Sequence, residues 1–199
     1  MSLQHNTQLL LEAAKVGNAE EVQRLIPLSN PKNSDFAALR YAAAFGHTEC
    51  VKLLIPVSDP GSETCYALHW AARGGHAQCV ELLIPNTHPK NGNIALRAAA
   101  ESGHPECVKL LIPIGNPKNY NSLALQLAAL SGHTPCVELL YPVSDAIAAL
   151  HSLKHKYSPK LCIGLEQYIE AEEAKRLRAV LVSEVSEGAA VRQHPQHKM

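Results

Sequence analysis

The sequence predicts an all-α solenoid: helix-turn-helix units stacked side by side, joined by short inter-unit loops and closed by a C-terminal capping helix. Three observations predict it. One segment recurs four times, as GHTECVKLLIPVSDP from 46, GHAQCVELLIPNTHP from 75, GHPECVKLLIPIGNP from 103 and GHTPCVELLYPVSD from 132. With Gly17 added, the glycines heading these segments are spaced 29, 29, 28 and 29 residues apart, and a fixed period of this size means one supersecondary unit stacked on copies of itself. Within each unit apolar residues fall as at Val51, Leu54 and Ile55, the i, i+3, i+4 pattern of one helix face.

Each unit opens with an Ala-rich helix, such as AALRYAAAF over 37–45, and continues after the Gly-His turn with a second helix such as ECVKLLI. Pro56, Pro85, Pro113 and Pro142 close the second helices, because proline has no N–H to donate and disfavours helical geometry in the residue before it. Pro105 and Pro135 fall instead at helix openings, where the missing N–H has no partner to lose. SNPKNS, SDPGSE, THPKNG and GNPKNY supply the turn residues between units. The first unit, LLLEAAKVGNAEEVQRLIP, carries Glu12, Gln23 and Arg24 where internal units are more apolar, as an outer cap requires.

After Asp145 the pattern blurs, but Cys162 follows Cys136 by 26 residues and aligns with it, marking a degenerate sixth unit. Its second helix is expected over about 161–184, with Leu177, Val180 and Leu181 as an apolar stripe that seals the last full unit. The expected organisation is one domain over 1–185, with units at about 8–36, 37–65, 66–93, 94–122 and 123–145, a capping unit at 146–185 and a flexible tail at 186–199. The charge run EAEEAKRLR is expected to be the solvated side of the capping helix.

The recurring xALxxAAxxGHxxCVxLL, matched in register over residues 8 to about 145, resembles the ankyrin repeat, whose usual core reads TPLHxAAxxGHxxIVxxLL. Two departures stand out. The TPLH tetrapeptide is replaced by AALR (37–40), YALH (66–69), IALR (94–97) and LALQ (123–126). Each unit also falls about four residues short of the family's length, where the family builds a projecting β-hairpin, so a short loop is expected in its place.

The His-x-x-Cys pairs His47/Cys50 and His76/Cys79 have the spacing of half a zinc site, and a Cys near a His is also how a thiolate nucleophile is activated. Both readings fail on geometry. Stacked helix pairs lie ~8–10 Å apart, too far for equivalent Cys to share a tetrahedral ion or to form disulfides. The Cys matches the family's apolar Ile or Val, and buried free Cys behaves as a small hydrophobe. The His matches the family's loop His, which the resemblance assigns to hydrogen bonds tying the inter-helix turn. Cys65 is expected exposed in an inter-unit loop, and Trp70, at the position of Tyr41, Ala98 and Leu127, is expected to pack in or against the core.

No GxGxxG, Walker, HExxH or GxSxG signature is present, so no catalytic site, cofactor or metal is expected. A net charge of zero gives no electrostatic footprint for nucleic acid. No run approaches ~20 apolar residues, and the N-terminal stretch lacks a basic region followed by an apolar one, so neither a membrane span nor a cleaved signal is expected. The expectation is a cytoplasmic monomer.

The resemblance implies a non-catalytic protein-binding module presenting a concave face to another protein. The positions just before each Gly-His vary while the framework repeats, which selects Phe45, Arg73, Glu101 and Leu130, with the loop aromatics Tyr66 and Tyr120, as protein-binding candidates. The alternatives are the recruiting part of an effector, since shortened arrays look similar to ones in bacteria and intracellular pathogens that act inside a host cell, or a structural scaffold that forms homo-oligomers.

Overall fold

The computed structural model of the chain describes residues 2–30, 37–58, 63–88, 91–156 and 159–191. Its units are the helix pairs α1 (Leu3–Val16) and α2 (Ala19–Leu25), α3 (Ala37–Ala44) and α4 (Thr48–Leu54), α5 (Glu63–Arg73) and α6 (Ala77–Leu83), α7 (Gly92–Ser102) and α8 (Pro105–Leu111), and α9 (Asn119–Leu130) and α10 (Thr134–Leu140). A sixth pair, α11 (Ala146–Lys156) and α12 (Pro159–Val191), closes the stack, and no strand occurs among the described residues.

Burial follows the repeat. Each first helix gives one Leu to the core (Leu10, Leu39, Leu68, Leu96, Leu125) and each second helix another (Leu25, Leu54, Leu83, Leu111, Leu140), all at or below 1% exposure. Cys50, Cys79, Cys107 and Cys136 are buried free thiols beside them, in the apolar role that their register predicts. Burying a Leu is worth about 1.5–3 kcal/mol relative to leaving it exposed, so the two Leu rows are the main apolar investment of each unit. Between them lie buried Ala pairs such as Ala42 and Ala43, Ala71 and Ala72, and Ala99 and Ala100, small enough for close helix approach. First helices of neighbouring units pack against one another more extensively than second helices do. The first helices of these five pairs, 8–14 residues long against 7, thus form the more extensively packed row of the stack, the side expected to be concave.

The turn inside each unit explains the Gly-His pair. Gly17, Gly46, Gly75, Gly103 and Gly132 all take left-handed backbone, with φ between 73° and 78°. His47 N–H reaches back to Ala42 O at 2.8 Å and Gly46 N–H to Ala43 O at 3.3 Å, the paired bonds of a Schellman helix ending. The His ring does something the sequence reading did not assign. Its Nε2–H donates across the stack to a carbonyl of the preceding unit: His47 to Lys15 O at 2.9 Å, His76 to Ala44 O at 3.0 Å, His104 to Arg73 O at 3.0 Å and His133 to Glu101 O at 3.1 Å. Each ring also lies over the preceding glycine, where a Cβ on Gly46 would meet His76 Nδ1 at 2.5 Å. The His thus ties unit to unit, and its own turn is held by backbone bonds. In the first unit Asn18 stands at the His position and caps its own helix, accepting from Glu21 N–H at 3.0 Å.

Several expectations are corrected. The residue before each closing proline is helical: Ile55 has φ −51° and ψ −49°. The α-helix ends at Leu54, and Pro56 sits in a 3₁₀ turn over Ile55–Val57, where its missing N–H falls in the first turn and breaks no bond. The first helix begins at Leu3, ahead of residue 8, because Ser2 caps it by accepting from His5 N–H at 3.3 Å. Tyr66, Tyr120 and Cys65 lie in helices rather than loops, since α5 and α9 start at Glu63 and Asn119. The terminal helix runs to Val191, beyond Ser186; SEVSEGAAV has no proline to stop it, and Glu184, Glu187, Ala189 and Ala190 favour helix.

The seal is also nearer the start of that helix than expected. Leu165 and Ile169 are buried and Tyr168 meets Tyr141 edge-on at 5.3 Å, whereas Leu177 is 65% exposed. α12 touches α9 and α11 and still lays Arg176 over Tyr141, but Leu177 itself faces solvent, and the side chains of Val180 and Leu181 lie outside the described residues. The expected flexibility of 192–199, most inter-unit loops and the side chains of Cys65 and Cys162 lie outside the described residues. Two inter-unit connections are described throughout: the one after α8 is a pair of turns over residues 112–118, with Asn116 Oδ1 accepting from Lys118 N–H at 3.0 Å, and the one after α10 runs from the 3₁₀ turn Tyr141–Val143 through Ser144 and Asp145.

Candidate functional site

On the concave side, α3 and α5 carry large side chains that the repeat framework does not use. Five residues before the glycine stand Tyr41 and Trp70; six before it stand Arg40, His69, Arg97 and Gln126. Helical spacing puts Tyr41 and Phe45, four apart, on one face, and likewise Tyr66, Trp70 and Arg73. These two faces border a cleft of about 520 Å³ lined by Arg40, Tyr41, Ala44, Phe45, Trp70, Arg73 and Gly74. Gly74 keeps its floor low: a Cβ there would meet the His76 ring at 2.7 Å and Ala44 O at 3.1 Å.

The cleft is aromatic and cationic. Tyr41 and Phe45 stack with centroids 6.4 Å apart, and His69 meets Trp70 edge-on at 5.5 Å. Arg40 lies over Tyr41 at 5.5 Å, Arg73 over Trp70 at 5.7 Å, and one unit on, Arg97 over Tyr120 at 5.7 Å. Among the described residues no carboxylate forms an ion pair with Arg40, Arg73 or Arg97. The buried Arg97 Nε and His69 Nδ1 have no hydrogen-bond partner among the described residues. Burial holds the His69 pKa below its ordinary value, with Arg73 and Arg97 adding to the shift and the Ile94 backbone and Glu101 opposing it. Phe45 and Trp70 remain 55% and 40% exposed.

The residues selected from sequence separate here. Phe45 and Arg73 line the same cleft. Tyr66 is exposed on the Trp70 face, and Glu101 is exposed one unit further along. Tyr120 is exposed beneath Arg97, while Leu130 is half-buried and packs against the core. Trp70, expected in or against the core, is 40% exposed and lines the cleft instead; at the same register the small Ala98 is buried, so the size of the indole carries it out into the opening. Tyr41, Arg40 and Trp70 were missed as site residues although they vary in register as Phe45 and Arg73 do. One helical turn back from the selected positions was the signal that pointed to them.

Among the described residues no nucleophile is set up on this face. The four thiols are buried on the second helices, where burial raises their pKa values, that of Cys107 to about 11. Among the described residues no group of three His, Cys, Asp or Glu side chains could hold a metal ion, and no described helix is long and apolar enough to cross a membrane.

A curved stack of Gly-His-linked helix pairs, bare of catalytic groups on its described surface and varied on its inner face, defines a repeat scaffold. Ankyrin repeats, three copies to a profile, match residues 10–90 and 68–149, and the chain belongs to the ankyrin-repeat family. No curated protein matches the chain as a relative. Ankyrin repeats are generally protein–protein interaction modules.

Proposed function

We propose that this chain is a non-catalytic binding module whose concave face, centred on the cleft between α3 and α5, engages another protein. The observation that carries the reading is the grouping of Tyr41, Phe45 and Trp70 around one open cleft. A single exposed aromatic needs no explanation, but a cluster rimmed by polar groups is what interaction sites show. Aromatics and Arg are also the residues that dominate interface hot spots. None of these side chains belongs to the Leu, Ala and Cys framework that holds the units together. Four unpaired buried thiols suit a reducing compartment, in keeping with a cytoplasmic protein.

The test is site-specific photocrosslinking. Benzoylphenylalanine replaces Phe45 on the inner face, and in a second protein Lys109 on α8, while the source cells grow under ordinary conditions. The expected result is a discrete crosslinked protein from position 45 that is absent from position 109. Crosslinking from 109 alone, or from neither, refutes binding at the cleft. Replacing Phe45 and Arg73 together by Ala should then lower affinity for the captured protein by ~2 kcal/mol or more.

A further inference from the structure

We infer that the segment recognised at this cleft is acidic: one apolar side chain enters between Phe45 and Trp70, and carboxylates on either side of it engage Arg40 and Arg73. The inference rests on the proposed protein-binding role and adds the chemistry of the partner. Its starting point is an imbalance of charge. Several cations elsewhere on the helices have carboxylates at hand, as in Lys15 with Glu12 at 3.0 Å, Lys52 with Glu49 at 2.7 Å and Lys109 with Glu106 at 3.0 Å, although Arg176 and Arg178 on α12 have none among the described residues. Arg40 and Arg73, which border the aromatic cleft between α3 and α5, have none among the described residues.

Their placement fits carboxylate capture. A guanidinium that lies on an aromatic ring uses its face there and keeps its N–H edge for a bidentate acceptor. Arg40 over Tyr41 and Arg73 over Trp70 are held in this way, so little side-chain freedom remains to be lost on binding. Arg97, over Tyr120, continues the cationic row into the next unit, and Glu101 near it reverses the sign. The row therefore spans about three units. With units ~8–10 Å apart and an extended chain advancing ~3.3–3.6 Å per residue, an acidic residue at about every third position would meet one unit each.

A single-stranded polynucleotide is the competing occupant, since Arg and aromatic rings also serve that purpose. It is disfavoured by the zero net charge of the chain, which supplies no long-range attraction to a phosphate backbone, and by the shortness of the row before Glu101.

The experiment pans a randomised dodecapeptide display library on the full chain, with Arg40→Gln/Arg73→Gln and Phe45→Ala/Trp70→Ala as parallel baits whose melting is checked by circular dichroism. The wild-type consensus is then synthesised with a fluorescein label and titrated at low and high salt beside labelled oligo(dT). The expected consensus places Asp or Glu on both sides of an apolar residue. The Arg pair substitution should weaken this peptide about tenfold at low salt and much less at high salt, as exposed charge pairs behave. A neutral or basic consensus, or an acidic peptide bound equally by the Arg variant, overturns the inference; if Phe45→Ala/Trp70→Ala still abolishes binding, the protein-binding role stands without it. No enrichment over Phe45→Ala/Trp70→Ala removes that role and the inference together. Oligo(dT) bound more tightly than the peptide, with loss in the Arg variant, overturns the inference in favour of a polynucleotide.

Discussion

A single methyl group added at Gly75 separates the two reasons for glycine in the repeat. Gly75 and Gly132 share left-handed backbone, at φ 76° and 73°, so Ala costs each about 1–2 kcal/mol from strain alone. Their surroundings differ. A Cβ on Gly75 would lie 2.6 Å from His104 Nδ1, whereas a Cβ on Gly132 meets nothing within 4 Å. At Gly75 the ring must move by close to an ångström, which disrupts the 3.0 Å bond to Arg73 O. Losing that bond is worth about 1 kcal/mol, and disturbed packing adds to it. Gly75→Ala should therefore destabilise by about 2–4 kcal/mol in total, and Gly132→Ala by only the strain, about 1–2 kcal/mol.

Because the two glycines sit in different units, the decisive comparison is a double-mutant cycle of Gly75→Ala with His104→Ala, followed by urea unfolding with far-UV circular dichroism. Without the ring, Gly75→Ala should cost no more than the backbone strain, giving a coupling of about 1–2 kcal/mol. Equal cost in both backgrounds would refute the ring-over-glycine contact as a stabilising feature.

Iodoacetamide at about pH 8 should leave Cys50, Cys79, Cys107 and Cys136 unmodified in the folded protein and label all four in urea, as read by peptide mass spectrometry. Burial keeps them protonated, with Cys107 at about 11, and rapid native labelling of any of them would contradict the packing described. Burial also lowers the folded pKa of His69 below its unfolded value, so its contribution to stability is complete above about pH 6.5 and is lost as pH falls through the folded pKa. His69→Gln should reduce the fall in Tm between about pH 7 and pH 5; an undiminished fall would show that this His does not set the acid sensitivity.

The repeat was legible because its framework residues each obey a local rule. Leu and Cys at helical spacing mark the core, Gly marks a left-handed turn, and their recurrence fixes the register. The reach of His104 to Arg73 O was not legible, because a contact between units depends on how they stack and leaves no periodic trace within one unit. Trp70 was misjudged for a related reason. Composition favours burying a large aromatic, but at a register where Ala98 is covered the indole is too large for the seam and extends into the open cleft. The seal falls at Leu165 and Ile169 while Leu177 faces solvent, because an amphipathic pattern on a long helix does not say which of its apolar residues meets the neighbour.

The His-to-carbonyl link runs in one direction, and that gives the array a grammar for changing its length. Every internal unit brings a ring for its predecessor and a glycine for its successor. Excision of residues 47–75, one period of 29, would join Gly46 directly to His76 and recreate an ordinary turn, with His76 inheriting the place over Gly17 that His47 now holds. Insertion of a period would be equally seamless. The ends do not share this freedom: Asn18 spends its side chain on capping its own helix, and among the described residues no ring lies over Gly132. Whole units are thus interchangeable as masonry, but not as surface: the same excision would take Trp70 and Arg73 with it, leaving a sound wall without its aromatic niche.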